Sequence, residues 1–150
     1  SGSSDQRTIY SNAITTNDGV QVSLFYWIPS GSTKVLQFGT FDNVNFGKFK
    51  RYNVNLSTST WYHVVGTFDG SSQWRIYLDG SEVSSSEIKG DITATAGNDV
   101  LGAHDPGGAV ARPFDGLIDE VGIWSRELDS ADVTALYNSG SGFAYGDFTS

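Results

Sequence analysis

The chain has 150 residues, enough for one domain, and its formal net charge is −8 with only nine Lys and Arg residues. This charge argues against tight binding to nucleic-acid phosphates or anionic lipid, and no run of about 18 apolar residues is present that would span a membrane. The absence of cysteine excludes disulfides, thiolate catalysis and zinc–sulfur sites. Many small turn-forming residues together with many aromatic residues predict an all-β fold.

Short strands separated by turn residues are predicted along most of the chain. The pair Asp79-Gly80 predicts a two-residue hairpin turn, because both residues tolerate a positive φ. The predicted strands cover residues 7–11, 19–27, 34–41, 48–54, 61–68, 73–78, 82–83, 88–95, 99–103 and 114–124.

One segment near the C-terminus has the spacing of a helix. Asp129 is a suitable N-cap, and another acidic residue follows three positions later. Asn138-Ser139-Gly140 is a suitable helix end. Between them, apolar residues recur at helical spacing at Val133, Leu136 and Tyr137.

Four blocks in the second half of the chain occur in a characteristic order. They read WYHVVGTFDG at 61–70, RIYLDG at 75–80, FDGLIDEVGIW at 114–124 and LDSADVTALY at 128–137. In this order and spacing the chain resembles the laminin-G-like, concanavalin A-like jelly-roll family. The resemblance implies an antiparallel β-sandwich of jelly-roll type with one short C-terminal helix. It also implies a single domain over residues 1–150, with a C-terminal tail at 138–150.

The opening strands of such domains have no counterpart in this sequence. Family members normally begin with an apolar-Asp-Gly strand and a Trp-containing strand. We expect this chain to begin after the segment that corresponds to these strands. A sheet edge left without a neighbour favours association. We therefore expect the chain to occur within a longer polypeptide or a multi-chain assembly, with another segment against that edge.

Asp119 lies on a predicted strand face that is otherwise apolar, since Leu117, Val121 and Ile123 share that face. A carboxylate on a buried face must be paired, hydrogen-bonded or metal-bound. The family resemblance implies a structural Ca²⁺ at Asp119, held by carboxylate and backbone carbonyl oxygens. The alternative is a carboxylate that accepts hydrogen bonds from backbone amides in a turn or bulge.

Glycoside hydrolysis is the enzymatic alternative, because concanavalin A-like folds include β-glucanases. That reaction needs two carboxylates that face each other across the scissile bond. Asp119 and Glu120 are adjacent on a predicted strand, so they are expected to point to opposite faces. No G-x-S-x-G nucleophile motif is present either. We therefore predict that the protein is not an enzyme.

The stretch from His104 to Arg112 is predicted to be a loop between two strands. Loops on a rigid sandwich are the usual place for binding residues. His104, Asp105 and Arg112 are the predicted ligand-binding residues, because their side chains can hydrogen-bond sugar hydroxyls. The alternative is a solvated loop without a binding role.

Aromatic residues bind sugars by stacking, which requires an exposed ring face. Tyr26 and Tyr77 are assigned to the more polar faces of their strands and are the predicted stacking platforms. The tryptophans that alternate with apolar residues are instead predicted to pack in the core: Trp61, Trp74 and Trp124.

Two classes of function are consistent with these features. The first is a non-catalytic carbohydrate-binding or cell-surface adhesion module, whose partner is a glycan or polysaccharide and for which the resemblance implies stabilisation by calcium. The second is a structural or decorating module of a larger extracellular assembly or virion, which contacts other protein chains. Both place the protein outside the cell or on a cell or virion surface. Neither involves nucleic acid or membrane insertion.

Overall fold

The computed structural model describes residues 5–13, 21–28, 33–41, 48–84, 98–104 and 111–142. Their secondary structure is all-β apart from one short helix and a 3₁₀ turn, as predicted, and the strand predicted over 88–95 lies outside the described residues. The elements are β1 (Asp5–Ala13), β2 (Gln21–Ile28), β3 (Val35–Phe41), β4 (Lys48–Asn53), β5 (Val64–Phe68), β6 (Trp74–Leu78), β7 (Ser81–Glu82), β8 (Asn98–Leu101), α1 (Ser130–Tyr137) and the 3₁₀ turn Asn138–Gly140.

The larger sheet has five antiparallel strands in the order β4-β3-β2-β1-β8. Leu24 of β2 lies opposite Phe38 of β3, so the two side chains share one face of the sheet. Between β1 and β2 the register shifts around Ile9, because Thr8 pairs with Phe25 and Tyr10 pairs with Leu24. This bulge lets β1 bend while it pairs with β8 on its other side.

The smaller sheet has three antiparallel strands in the order β5-β6-β7. The predicted turn between β6 and β7 is confirmed, with φ of 49° at Asp79 and 78° at Gly80. Both residues therefore have the left-handed backbone that the two-residue turn requires.

The core lies between the two sheets. Its buried centre consists of Leu24 and Phe38 from the larger sheet and Trp74 and Ile76 from the smaller one. The Phe38 and Trp74 rings meet edge to face with centroids 5.3 Å apart. Gly66 makes this contact possible, because a Cβ atom there would lie 2.4 Å from the Phe38 ring.

Helix α1 covers the opposite face of the smaller sheet. Asp129 is its N-cap, accepts hydrogen bonds from two backbone amides, and forms the predicted capping box with Asp132. A second buried cluster joins Val133 of the helix to Leu128 and to Tyr77 of β6. No helix among the described residues is long and apolar enough to cross a membrane.

The strand predicted over 114–124 is wrong. Residues 113–128 have no regular secondary structure, and the side chains of Leu117 and Ile123 are 77% and 67% exposed. A strand needs a hydrogen-bonded neighbour, and none of the described strands pairs with this segment. Glu120 also has a φ of 50°, which interrupts the alternation of side chains between two faces.

The predicted burial of the tryptophans is confirmed for one residue and wrong for two. Trp74 is fully buried at the centre of the core. Trp61 is 63% exposed, because it precedes β5 on an irregular segment that neither sheet covers. Trp124 is also exposed, since it belongs to the segment that forms no strand.

Candidate functional site

The loop between His104 and Arg112 is fastened at its base. The backbone N–H groups of His104 and Ala111 each donate to the other residue's carbonyl, at 2.8 and 2.7 Å. The N–H of Thr8 in β1 donates to the Arg112 carbonyl at 3.1 Å. These bonds anchor the loop to the larger sheet.

The three predicted ligand-binding residues of this loop have different environments. The side chain of His104 is buried, whereas Arg112 is exposed and has a φ of 53°. Asp105 lies outside the described residues. Of the two described residues, Arg112 is therefore the one that offers its side chain to a ligand in solution.

The expected exposure of Tyr26 is wrong. Its ring is 9% exposed, because it shares with Leu24 the face of β2 that packs against the smaller sheet. Its hydroxyl donates to the Val54 carbonyl at 3.3 Å and accepts from the Leu56 N–H at 3.0 Å. Tyr26 therefore holds the chain after β4 and presents no open ring face for stacking.

Tyr77 is likewise buried, at 3% exposure, so the expectation of an exposed platform is wrong there too. Helix α1 and Leu128 cover the face of β6 on which Tyr77 lies. Burial, with a smaller effect of the Glu82 carboxylate, raises the pKa of its hydroxyl.

Asp119 is exposed, so the expectation that its face is buried is also wrong. Its Oδ1 accepts a hydrogen bond from the Glu120 N–H at 2.9 Å. Asp119 and Glu120 line one groove of about 450 Å³ beside Leu101, rather than pointing to opposite faces of a strand. Within the described residues, no three His, Asp or Glu side chains form a group that would hold a metal ion. Calcium at Asp119 stays a prediction.

A second cleft, which the sequence did not predict, lies between the β6–β7 turn and the end of helix α1. We call it the turn–helix cleft; its volume is about 500 Å³. The turn and the helix were predicted from the sequence. That the turn and the helix end face each other was not. Its polar and aromatic lining residues are Asp79, Ser81, Thr134, Tyr137, Asn138 and Ser139.

Two residues that line the turn–helix cleft, Asp79 and Tyr137, are held in place by hydrogen bonds and ring packing. Asp79 Oδ1 accepts from the His63 N–H at 2.9 Å, and the Asp79 N–H donates to the His63 carbonyl at 2.9 Å. The Tyr137 ring lies 5.8 Å from the His63 ring and packs against Gly80, where a Cβ would approach it to 2.8 Å. Burial lowers the pKa of His63, although the Asp79 and Glu120 carboxylates partly oppose this effect.

One comparison with known proteins identifies the family of this chain. The profile of a laminin-G domain family, described as "Concanavalin A-like lectin/glucanases superfamily", matches residues 1–134. The chain therefore belongs to this family of concanavalin A-like domains, as its sequence blocks indicated. Laminin-G-like domains of the lectin type are generally non-catalytic.

A search of the curated proteins found no match. Among solved structures, the chain is similar to the crystal structure of an S-layer domain-containing protein (residues 221–444) from Clostridium thermocellum, with 18% identity and a TM-score of 0.42. The match covers 88% of this chain and 63% of that one. The chain thus spans less than two thirds of that structure.

Proposed function

We propose that this protein is a non-catalytic carbohydrate-binding module that works outside the cell, with a glycan or polysaccharide as its partner. The family supports this proposal, because its description includes lectins and its lectin-type members are generally non-catalytic. Fold alone does not define function, so the proposal also depends on a site.

The observation that carries the proposal is the anchored loop with Arg112 exposed at its base. Reciprocal backbone hydrogen bonds between His104 and Ala111 hold the two ends of the loop together, so these ends need little further ordering when a ligand binds. The Arg112 guanidinium offers several N–H donors in a fixed plane, which suits the paired hydroxyl oxygens of a sugar ring. In this proposal Asp105 accepts hydrogen bonds from the same sugar, and the buried His104 positions the loop.

A glycan array with the unmodified protein and two variants tests the proposal. Arg112→Gly removes the guanidinium and suits the positive φ at this position. Asp105→Ala removes the second predicted contact. Both variants should lose glycan signal and keep the melting temperature, whereas the charge-matched control Lys34→Gln should bind as the unmodified protein does. Unchanged binding by both loop variants would exclude this loop as the site.

A second candidate is a structural module that contacts other protein chains in a surface assembly. It is supported by the exposed apolar side chains of Leu117, Val121 and Ile123, since a run of this kind is typical of interaction surfaces. Chemical cross-linking of the native assembly, followed by identification of the linked peptides, tests this candidate. If Lys34 and the other lysines form no cross-link to a second chain, the result would count against this candidate.

A further inference from the structure

The turn–helix cleft has a negative electrostatic character. Asp79 supplies a carboxylate, and none of the described residues that line the cleft is Lys, Arg or His. The cleft also lies at the C-terminal end of helix α1, whose last turn has no basic residue. Carbonyl groups at a helix C-terminus carry partial negative charge, which favours a cation within one turn of that end.

His63 and Glu120, both in the described part of the chain, bear on the charge at the strand side of the cleft. His63 lies directly behind Asp79: its N–H donates to the Asp79 carboxylate, and its carbonyl accepts from the Asp79 N–H. Burial lowers the pKa of His63, which disfavours the positively charged form of its ring. Glu120, whose charge also acts on His63, adds negative potential.

The remaining lining groups suit a ligand with hydroxyls. Ser81 and Ser139 contribute hydroxyl groups, and Thr134 Oγ1 donates to the Ser130 carbonyl at 2.7 Å, which leaves its lone pairs for a ligand donor. Asn138 Nδ2 donates to the Gly142 carbonyl at 2.9 Å, which holds the amide in one orientation. The Tyr137 ring forms an aromatic wall, and such a ring attracts a cation or an apolar sugar face.

We propose that the turn–helix cleft binds an amino-sugar unit with a free, protonated amine, such as glucosamine in a de-N-acetylated polysaccharide. Asp79 pairs with the ammonium group, the hydroxyls of Ser81 and Ser139 contact the neighbouring sugar hydroxyls, and the Tyr137 ring faces the sugar. The inference shares the carbohydrate ligand of the proposed function but not its site, which is the loop at Arg112.

Two matched oligosaccharides test the inference: a hexamer of glucosamine and the same hexamer with every amine acetylated. Isothermal titration at about pH 6, where such an amine is protonated, should give binding of the free-amine hexamer about tenfold tighter than of the acetylated one. Equal affinity for the two hexamers would overturn the inference.

Asp79→Asn is the decisive variant, because Asn still accepts the hydrogen bond from the His63 N–H and tolerates a φ of 49°. It should remove the preference for the free-amine hexamer. Asp115→Asn removes the same charge from an exposed side chain elsewhere and should bind as the unmodified protein does. Equal losses in both variants would show attraction by net charge alone and would overturn the inference.

Amide chemical shifts give a readout that does not depend on how the variants fold. Titration of the unmodified protein with the glucosamine hexamer should shift the amides of Gly80, Asn138 and Ser139. Shifts confined to residues around Arg112 would overturn this inference and leave the proposed function intact. The opposite outcome is shifts at the cleft and glycan-array signals that Arg112→Gly and Asp105→Ala leave unchanged. That result would support the cleft as the site and reject the loop.

Discussion

Asp69 shows how one side chain can organise a turn between two strands. Its Oδ1 accepts hydrogen bonds from the backbone N–H groups of Ser71, Ser72 and Gln73, at 2.8, 2.8 and 3.0 Å. These bonds favour the charged carboxylate and hold the pKa of Asp69 well below its usual range. The ionised carboxylate of Asp69 thus stabilises the turn between β5 and β6.

The first prediction concerns how the stabilisation by Asp69 depends on pH. Because the pKa of Asp69 is lower in the folded state, its contribution to stability is complete above the unfolded pKa, about 3.9, and is lost as the pH falls through the folded value. Asp69→Asn should therefore lower the melting temperature at neutral pH, and the gap to the unmodified protein should narrow in acid. A gap that stays constant in scans from neutral to acidic pH would contradict this account.

Asp119 gives the second prediction at the scale of single residues. If its carboxylate ligates Ca²⁺, saturating calcium should raise the melting temperature, because a ligand bound to the folded state alone stabilises it. Asp119→Asn should abolish the rise and should otherwise unfold as the unmodified protein does, since the residue is exposed. Identical melting curves of the unmodified protein in calcium and in EDTA would reject calcium binding.

At the scale of elements, the stability of helix α1 depends on the hydrogen bonds at its N-terminal cap. It has only eight residues, too few to be stable in isolation, and Val133 is its one fully buried side chain. Asp129 accepts from the N–H groups of Ala131 and Asp132, and the Asp132 carboxylate accepts from the Asp129 N–H and from Arg126. The hydrogen bond from Arg126, together with the one from the Asp129 N–H, lowers the pKa of Asp132 to about 2.

The third prediction is that Asp129→Ala lowers the free energy of unfolding by about 1 kcal/mol, because two backbone amides lose their acceptor. Asp129→Ser keeps a capping oxygen and should lose only a small part of that amount. Urea unfolding followed by tryptophan fluorescence measures both values, and Trp74 in the core is a suitable reporter. Equal losses in the two variants would show that the cap is not the cause.

At the scale of the whole molecule, the two sheets bury a compact aromatic core, while residues 117–124 leave apolar side chains in solvent. Leu101 at the edge strand β8 is also exposed and lines the same groove as Ile118 and Val121. An exposed apolar run beside a sheet edge favours association with another chain or segment.

The fourth prediction follows from that surface. The chain should self-associate as its concentration rises, and the double variant Leu117→Ser with Ile123→Ser should reduce this association in sedimentation velocity experiments. The stability of the double variant should change by about 0.5 kcal/mol or less per site, as is usual for exposed positions. A loss of about 2 kcal/mol or more per site would instead show that these side chains are packed in the folded protein.

Most of the described strands, the Asp79-Gly80 turn and the helix cap could be predicted from the sequence because each depends on neighbours within a few residues. Alternation along β6 is one example, since Trp74 and Ile76 lie on one face by the geometry of any strand. The four blocks at 61–70, 75–80, 114–124 and 128–137 also indicated the family, because their order and spacing are characteristic of it.

Only the tertiary structure decided which faces are covered. Tyr26 and Tyr77 are buried because the smaller sheet and helix α1 pack over them, and Leu117 is exposed because no described strand lies beside it. The turn–helix cleft has the same origin, since Asp79 and Tyr137 are 58 positions apart in the chain and meet only when the helix docks on the sheet. Local pattern determines an element, whereas burial and binding surfaces depend on contacts between residues distant in sequence.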